Sequence, residues 1–389
     1  MKSLLLPALT IIIVLLLCIY TFAPALVEQQ LNRVVLHAPY LPSERARLLH
    51  KDLIIGDWHA DSLMWDRDLS KPHDYGHVDI PRMQQGNVAL QMFTTVTKSP
   101  SGLNYERNEA QASDSITKLA MLHRWPLATW NSLTARAVTQ AQTLHKLARQ
   151  DSQNFMLIRS QQELTGFLQK RAANPNMVAG LLGTEGSHAL DGKLDNIQLL
   201  FDNGFRMMSL HHFFDNKLGG SLHGVSQNGL TAFGRDALQT MQNLGIIIDV
   251  SHSSEQVVED VLSLSDKPLI VSHTGFQGHC QSPRNISDRL MKSIATKGGL
   301  IAVGYWDGAI CATHPSQVAA AIKYGIDLVG EEHISLGSDF DGATTVAFDA
   351  SELLVVTHEL LEIGLSETQI RKVMGENMLR FLQQNLPIK

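Results

Sequence analysis

Eight short runs rich in Val, Ile, Leu and Met, each followed by a polar or glycine-containing loop and then a helical pattern, limit what this chain can fold into. They lie at 53–58, 88–96, 177–184, 205–210, 246–251, 268–272, 300–305 and 334–338. Several are apolar on both faces, as parallel strands covered by helices must be. Strands alternating with helices in this way predict an α/β chain folded as a (β/α)8 TIM-type barrel. The spacing is regular except between the second and third runs, where about 80 residues intervene. That stretch, including 107–124 and 133–170, reads as extra helices with no chemical motif. The tail from Ser366 to Leu386 reads as an amphipathic helix packed on the outside of the barrel.

Ahead of the barrel, Leu4 to Val27 contains no charged residue. Such a run is long enough to span a bilayer, which takes about 20 residues. Ala23-Pro24-Ala25 also makes a small-x-small site of the kind that ends a cleaved secretory signal, although the apolar stretch exceeds the roughly 7–15 residues of a signal's hydrophobic region. The reading taken is an N-terminal transmembrane segment at 1–27, a tether at 28–50 and a barrel domain at 51–389. Lys2 on the short side keeps the N-terminus in the cytoplasm. The expectation is a single-pass protein of the inner (plasma) membrane whose barrel faces the periplasm or the exterior, or a secreted protein if the segment is cleaved.

The whole chain has a net charge of −6 and 44% hydrophobic residues. That suffices for one large core, and no basic stripe points to nucleic acid. Beyond the apolar segment only Cys280 and Cys311 remain, too few for a disulfide framework or a thiolate metal site. They form either one bridge in an oxidising compartment or two buried thiols.

In a barrel of this kind the chemistry sits at the C-terminal ends of the strands. Six candidate metal ligands fall there: His59, Asp61, Glu185, His252, His273 and Asp339. His59 and Asp61 are i and i+2 on an extended chain, so both can face the barrel mouth. Glu185 stands between Gly183-Thr184 and Gly186, where a buried carboxylate needs a cation or an arginine nearby. His188, three residues on, reads as a helix-start residue. The fifth and sixth runs each end in Ser-His, at His252 and His273, and neutral imidazole suits zinc. Asp249 is a candidate to hold the second ring nitrogen of His252, or it points into the helix layer. Asp339 and Asp341 are again i and i+2, and spacing alone does not say which faces the metals. Each element alone also fits a loop or a core histidine; six together at one rim do not.

This ordered series resembles the membrane dipeptidase (renal dipeptidase) family of binuclear zinc hydrolases over roughly residues 50 to 385. The likeness is carried by His59-x-Asp61, Thr184-Glu185-Gly186, Leu210-His211-His212, Gly245 through His252, Val271-Ser272-His273, Arg284-Asn285 and Gly337 to Gly342. It implies two Zn2+ per chain, with Glu185 bridging them, His59, Asp61 and Asp339 completing one site, and His252 and His273 the other. Two zinc ions, three carboxylates and a bridging hydroxide sum to a neutral site, as a partly buried pocket favours. The resemblance further implies that this hydroxide attacks the peptide bond of a dipeptide, that Asp339 rather than Asp341 transfers the proton, and that His212 contacts substrate and steadies the tetrahedral oxygen. Arg284 matches a substrate-binding arginine, whose planar fork suits a free carboxylate. Tolerance of a D-residue at the C-terminal position and a homodimer are also implied. The family pattern Asp-Gly-His-Asn-Asp is here Asp57-Trp58-His59-Ala60-Asp61, which keeps both ligands but leaves substrate range open. The alternatives are an N-acyl amino acid or lactam amidohydrolase on the same metals, or a tethered binding protein, whose signature would be a missing ligand.

Overall fold

A computed structural model describes residues 20–389. Among these residues nine strands form one sheet, and eight of them close into a parallel barrel. The barrel strands are β1 (Ile55–Ala60), β2 (Val88–Val96), β3 (Val178–Glu185), β4 (Phe205–Ser209), β5 (Ile247–Asp249), β6 (Ile270–Thr274), β7 (Leu300–Val303) and β8 (Ile334–Leu336). Each pairs in parallel with the next, and β8 pairs with β1 through Leu336 and Asp57. The eight aliphatic runs thus coincide with the barrel strands, because strands buried on both faces leave no polar alternation. The wall residues Val271, Ile301 and Leu336 are fully buried, each contributing roughly 1.5–3 kcal/mol of hydrophobic stabilisation.

Helices cover the barrel. Ala232–Leu244 starts at Thr231, whose side chain accepts from the Gly234 N–H, and stops at Gly245 with φ 74°. Ser254 caps Glu255–Leu264 through the Val257 N–H. Between β2 and β3 lie the expected extra helices Ser115–Leu122, Leu133–Gln150 and Gln161–Ala173, and also a short strand, Phe155–Leu157, that pairs in parallel with Val178, Ala179 and Gly180 at the start of β3.

The C-terminal tail differs from the expected continuous helix. It runs Glu367–Arg371, breaks through a π turn at Lys372–Glu376, and resumes as Asn377–Asn385. Gly375 sits at the break because a Cβ there would lie 1.9 Å from the Ile54 carbonyl oxygen. The last helix packs Phe381 edge-on against Trp58, ring centroids 5.6 Å apart. Trp58, which replaces the family glycine, therefore points away from the barrel mouth and into the helix layer.

The predicted apolar anchor lies for the most part outside the described residues. Among those described, no helix is long and apolar enough to cross a membrane. Residues 20–31 are helical. The stretch read as a tether lies against the barrel: Glu28 and Asn32 are buried, Arg33–Val34 pairs with Thr345–Val346, and His50 Nδ1 lies 2.8 Å from Thr357 Oγ1.

Candidate metal and substrate site

The six predicted ligands converge at the C-terminal mouth of the barrel. Glu185, the last residue of β3, is at the centre: its Oε1 lies 3.2 Å from His252 Nε2, 3.3 Å from His273 Nε2 and 3.6 Å from His59 Nε2. His59 Nε2 is also 3.6 Å from Asp61 Oδ1 and 3.9 Å from Asp339 Oδ1. Three sets of donor atoms lie within 4.8 Å of one another: His59, Asp61 and Glu185; His59, His273 and Asp339; and Glu185, His212 and His252. Glu185 and His59 each belong to two sets. The grouping brings all six together and adds His212, though it divides them differently from the family assignment.

Local backbone geometry aims these side chains. His252 and Asp339 have φ of 60° and 59°, left-handed values that ordinary residues avoid. Such strain persists only where the surroundings enforce it. Asp341 and Ala343 share it at 62° and 60°, so the whole turn after β8 is wound left-handed in alternate steps.

The rings are held from behind. Asp249 accepts from the backbone N–H of Ser251 (2.9 Å) and of Ser272 (3.0 Å) and from Ser272 Oγ (2.7 Å). Ser272 Oγ in turn lies 3.1 Å from His59 Nδ1 and 3.0 Å from His273 Nδ1. Asp249 thus acts through Ser272 on His59 and His273, and not on His252 as the spacing suggested. Thr94 Oγ1 donates to Asp61 Oδ1 at 2.6 Å, and Asp57 accepts from the His59 and Ser338 N–H groups, joining β1 to β8. Ser272, Thr94 and Asp57 carry no metal-ligand signature, so sequence reasoning passed over them as supports.

Electrostatics matches a cation site. Burial, together with the charges of Asp61 and Asp339, holds the Glu185 carboxyl well above its usual range. Burial lifts Asp339 to about 7, with His59 opposing and Asp61 adding to the rise. Burial likewise pushes His252 and His273 far below the ordinary imidazole value, so both rings are neutral donors. His59 Nε2, fully buried, has no hydrogen-bond partner. Buried carboxylates facing neutral imidazole nitrogens fit a divalent metal, with nitrogen ligands suited to zinc.

The two aspartates after β8 separate cleanly. Asp339 lines the cavity. Asp341 is bound by Arg67 Nη2 (2.6 Å), Ser62 Oγ (2.6 Å) and the His77 N–H (2.6 Å); burial pushes its carboxyl up, but Arg67, His77 and these hydrogen bonds together hold it below the usual value. The two adjacent histidines separate as well. His212 lines the cavity, and its Nδ1 donates to the Lys98 carbonyl at 3.1 Å, leaving Nε2 to face Glu185 Oε1 at 3.5 Å. His211 is fully buried with Nδ1 3.1 Å from Ser253 Oγ. His188 sits in the turn Ser187–Leu190, beside Phe214.

Arg284 also lines the cavity and is 1% exposed. Its Nη2 donates to the His273 carbonyl at 2.9 Å and lies 3.2 Å from His252 Nε2, while Nη1 has no partner. The cavity has a volume of about 410 Å³. Tyr105, Phe213 and Trp306 stand near its charged floor, and Val27, Leu31, Ile116 and Leu119 form apolar wall. The insertion between β2 and β3, which showed no chemical motif, therefore contributes directly to the site. No chemical motif marks these wall residues in the sequence.

Comparison with known proteins agrees with this geometry. Residues 43–387 match the membrane dipeptidase family (peptidase family M19). An uncharacterized dipeptidase of Schizosaccharomyces pombe is 26% identical over 361 residues, covering 88% of this chain and 83% of that protein. A metallo peptidase from Rhodobacter sphaeroides, solved with a phosphinate mimic of the dipeptide L-Ala-D-Ala, shares the fold with a TM-score of 0.69 at 23% identity, over 86% of this chain and 100% of its own. The probable dipeptidase PvdM from Pseudomonas aeruginosa has a TM-score of 0.70 at 19% identity, over 88% of this chain and 98% of its own. The chain belongs to the membrane dipeptidase family, peptidase family M19, and is a metal-dependent dipeptidase.

Proposed function

We propose that this dipeptidase works with two zinc ions held by His59, Asp61, Glu185, His252, His273 and Asp339, with Glu185 shared between them. The observation that carries this reading is the position of Glu185 Oε1, within 3.6 Å of the Nε2 atoms of His59, His252 and His273. Two such ions, when bound, supply a nucleophilic water at neutral pH and polarise the scissile carbonyl.

The residues of the chain do the rest. Asp339, at the cavity floor, takes the proton of the attacking water and returns it to the leaving amine. His212, with its proton fixed on Nδ1 by Lys98, offers Nε2 to the reacting centre; to donate to the developing oxyanion, that nitrogen must itself gain a proton or exchange tautomer. The unpartnered Nη1 of Arg284 receives the free carboxylate of the substrate, which favours a dipeptide over a longer chain. The dipeptide mimic bound by the Rhodobacter sphaeroides protein supports extending the substrate range to a D-residue at the C-terminal position.

The same proposal places the barrel outside the cytoplasm, held by the apolar segment that begins at Leu4 and precedes the helix at 20–31, and pairs two copies as a dimer. The disulfide joining Cys280 and Cys311 supports an oxidising compartment.

The test is metal analysis and turnover together. The full enzyme should hold two zinc ions per chain and cleave free L,L and L,D dipeptides but not N-acetylated or amidated ones. Glu185→Gln should lose both metals, whereas Asp339→Asn should keep at least one and lose turnover. Two tightly held zinc ions in Glu185→Gln would refute the shared ligand, and activity confined to acylated or lactam compounds would move the enzyme to an amidohydrolase.

A further inference from the structure

We propose that the helix at 20–31, which precedes the family-matched region, is a wall of the substrate site and selects dipeptides with a bulky apolar side chain. The family match begins at residue 43. Ahead of it, the helix is locked to the barrel by buried polar contacts. Glu28, 2% exposed, accepts from Arg67 Nε, while the same guanidinium donates to Asp341 Oδ2 at 2.6 Å and to the Val78 carbonyl at 2.8 Å. Just past the helix, Asn32 Oδ1 accepts from the Ala343 N–H at 2.8 Å. Arg33–Val34 then runs parallel to Thr345–Val346. Every one of these partners except Val78 and Arg67 lies in the turn after β8 that also carries Asp339, and Thr344 Oγ1 closes that turn on the Asp339 carbonyl at 2.8 Å.

This anchoring fixes which face of the helix meets the site. Val27 and Leu31 are i and i+4, so they share a face one turn apart. Both line the cavity that has Asp61, Glu185 and Asp339 at its floor. Val27 packs on the small cluster of Met64, Trp65, Val96 and Ile116. Leu31 remains 41% exposed at the cavity edge. Facing them are Ile116 and Leu119 of Ser115–Leu122. A site with a charged floor and an apolar wall matches a small zwitterion with a greasy side chain, and covering Leu31 is the contact that such a side chain would add.

The inference rests on the dipeptidase reading, and one experiment separates the two. In the full chain, Leu31→Glu and, separately, Val27→Ala would be compared with the unsubstituted enzyme on Leu-Leu, Leu-Ala, Ala-Leu and Ala-Ala. The expected result is a fall on the order of 10-fold in the ratio of kcat/KM for the best leucine-bearing substrate over Ala-Ala, expressed through KM, as for lost contact in an apolar pocket. A helix that only supported the fold would lower all four rates together and leave the ratio unmoved. Because Leu31 is half out of contact, Leu31→Glu keeps the test alive if Val27→Ala fails to fold. An unchanged ratio in Leu31→Glu would overturn the inference alone. Failure of the unsubstituted enzyme to cleave any dipeptide would overturn the dipeptidase reading and the inference with it.

Discussion

Replacing Arg284 by methionine removes the guanidinium while keeping much of its length, and the structure sets what should be lost. Arg284 is 1% exposed, its Nη2 is committed to the His273 carbonyl at 2.9 Å, and its Nη1 is left without a partner. Binding a substrate carboxylate would satisfy that nitrogen with a charge-assisted hydrogen bond in a site screened little by water. Such bonds contribute about 1.5–3 kcal/mol net, so kcat/KM for a free dipeptide should fall roughly 10- to 150-fold. The carboxylate is the other half of the pair, so amidating the dipeptide should cost the unsubstituted enzyme a similar factor. The assay is therefore a cycle: two enzymes, a free dipeptide and its C-terminal amide, with metal content measured in parallel because Nη2 also lies 3.2 Å from His252 Nε2. Arg284→Met should add little further loss on the amide. An equal loss on both substrates with metal intact would refute the carboxylate role. Arg284→Lys, which keeps charge but not the fork, should fall between.

Three further outcomes test the framework around the site. Burial holds the Glu28 carboxyl up at about 8 against the opposing pull of Arg67, compared with 4.5 when unfolded, so the native state binds this proton more tightly. Its contribution to stability is complete below about pH 4.5 and is lost as pH rises towards 8; Glu28→Gln removes that slope and should gain about 3 kcal/mol relative to the parent between pH 4.5 and 7 in urea unfolding. A pH-independent difference would contradict this. Gly337→Ala would place a Cβ 2.0 Å from the Ser272 carbonyl oxygen, displacing the residue that holds His59 and His273. A loss of about 3 kcal/mol or more with weakened metal binding is expected, and a variant as stable as the parent would refute the contact. Replacing Cys280 and Cys311 by serine opens a link across a sequence separation of 31 and should lower stability by about 3–4 kcal/mol, read as a shift in urea midpoint; an unshifted midpoint would mean the bridge does not form.

The barrel and the cluster of candidate ligands at its mouth were legible because their determinants are local. A strand buried on both faces must be a short continuous apolar run, and the eight runs match β1 to β8 closely. A candidate ligand at the C-terminal end of such a run is recognised by position, which is why the convergence of His59, Asp61, Glu185, His252, His273 and Asp339 at the barrel mouth could be expected without coordinates. The tail was misread as continuous because its apolar periodicity survives the break at Gly375, where the obstacle is a carbonyl from residue 54.

The sequence by itself therefore determined the fold class, the order of the strands and the donor atoms offered at the barrel mouth. The spacing of Asp339 and Asp341 could not separate them; the tertiary structure does, because Arg67, 274 positions away, captures the second. Tertiary contact also sent Asp249 to Ser272 instead of His252, and brought Val27, Leu31 and Ile116 to one cavity from segments without a motif. Periodicity reports which face of an element is buried; it carries no record of which distant side chain will be waiting there, since those partners meet only when the chain has closed.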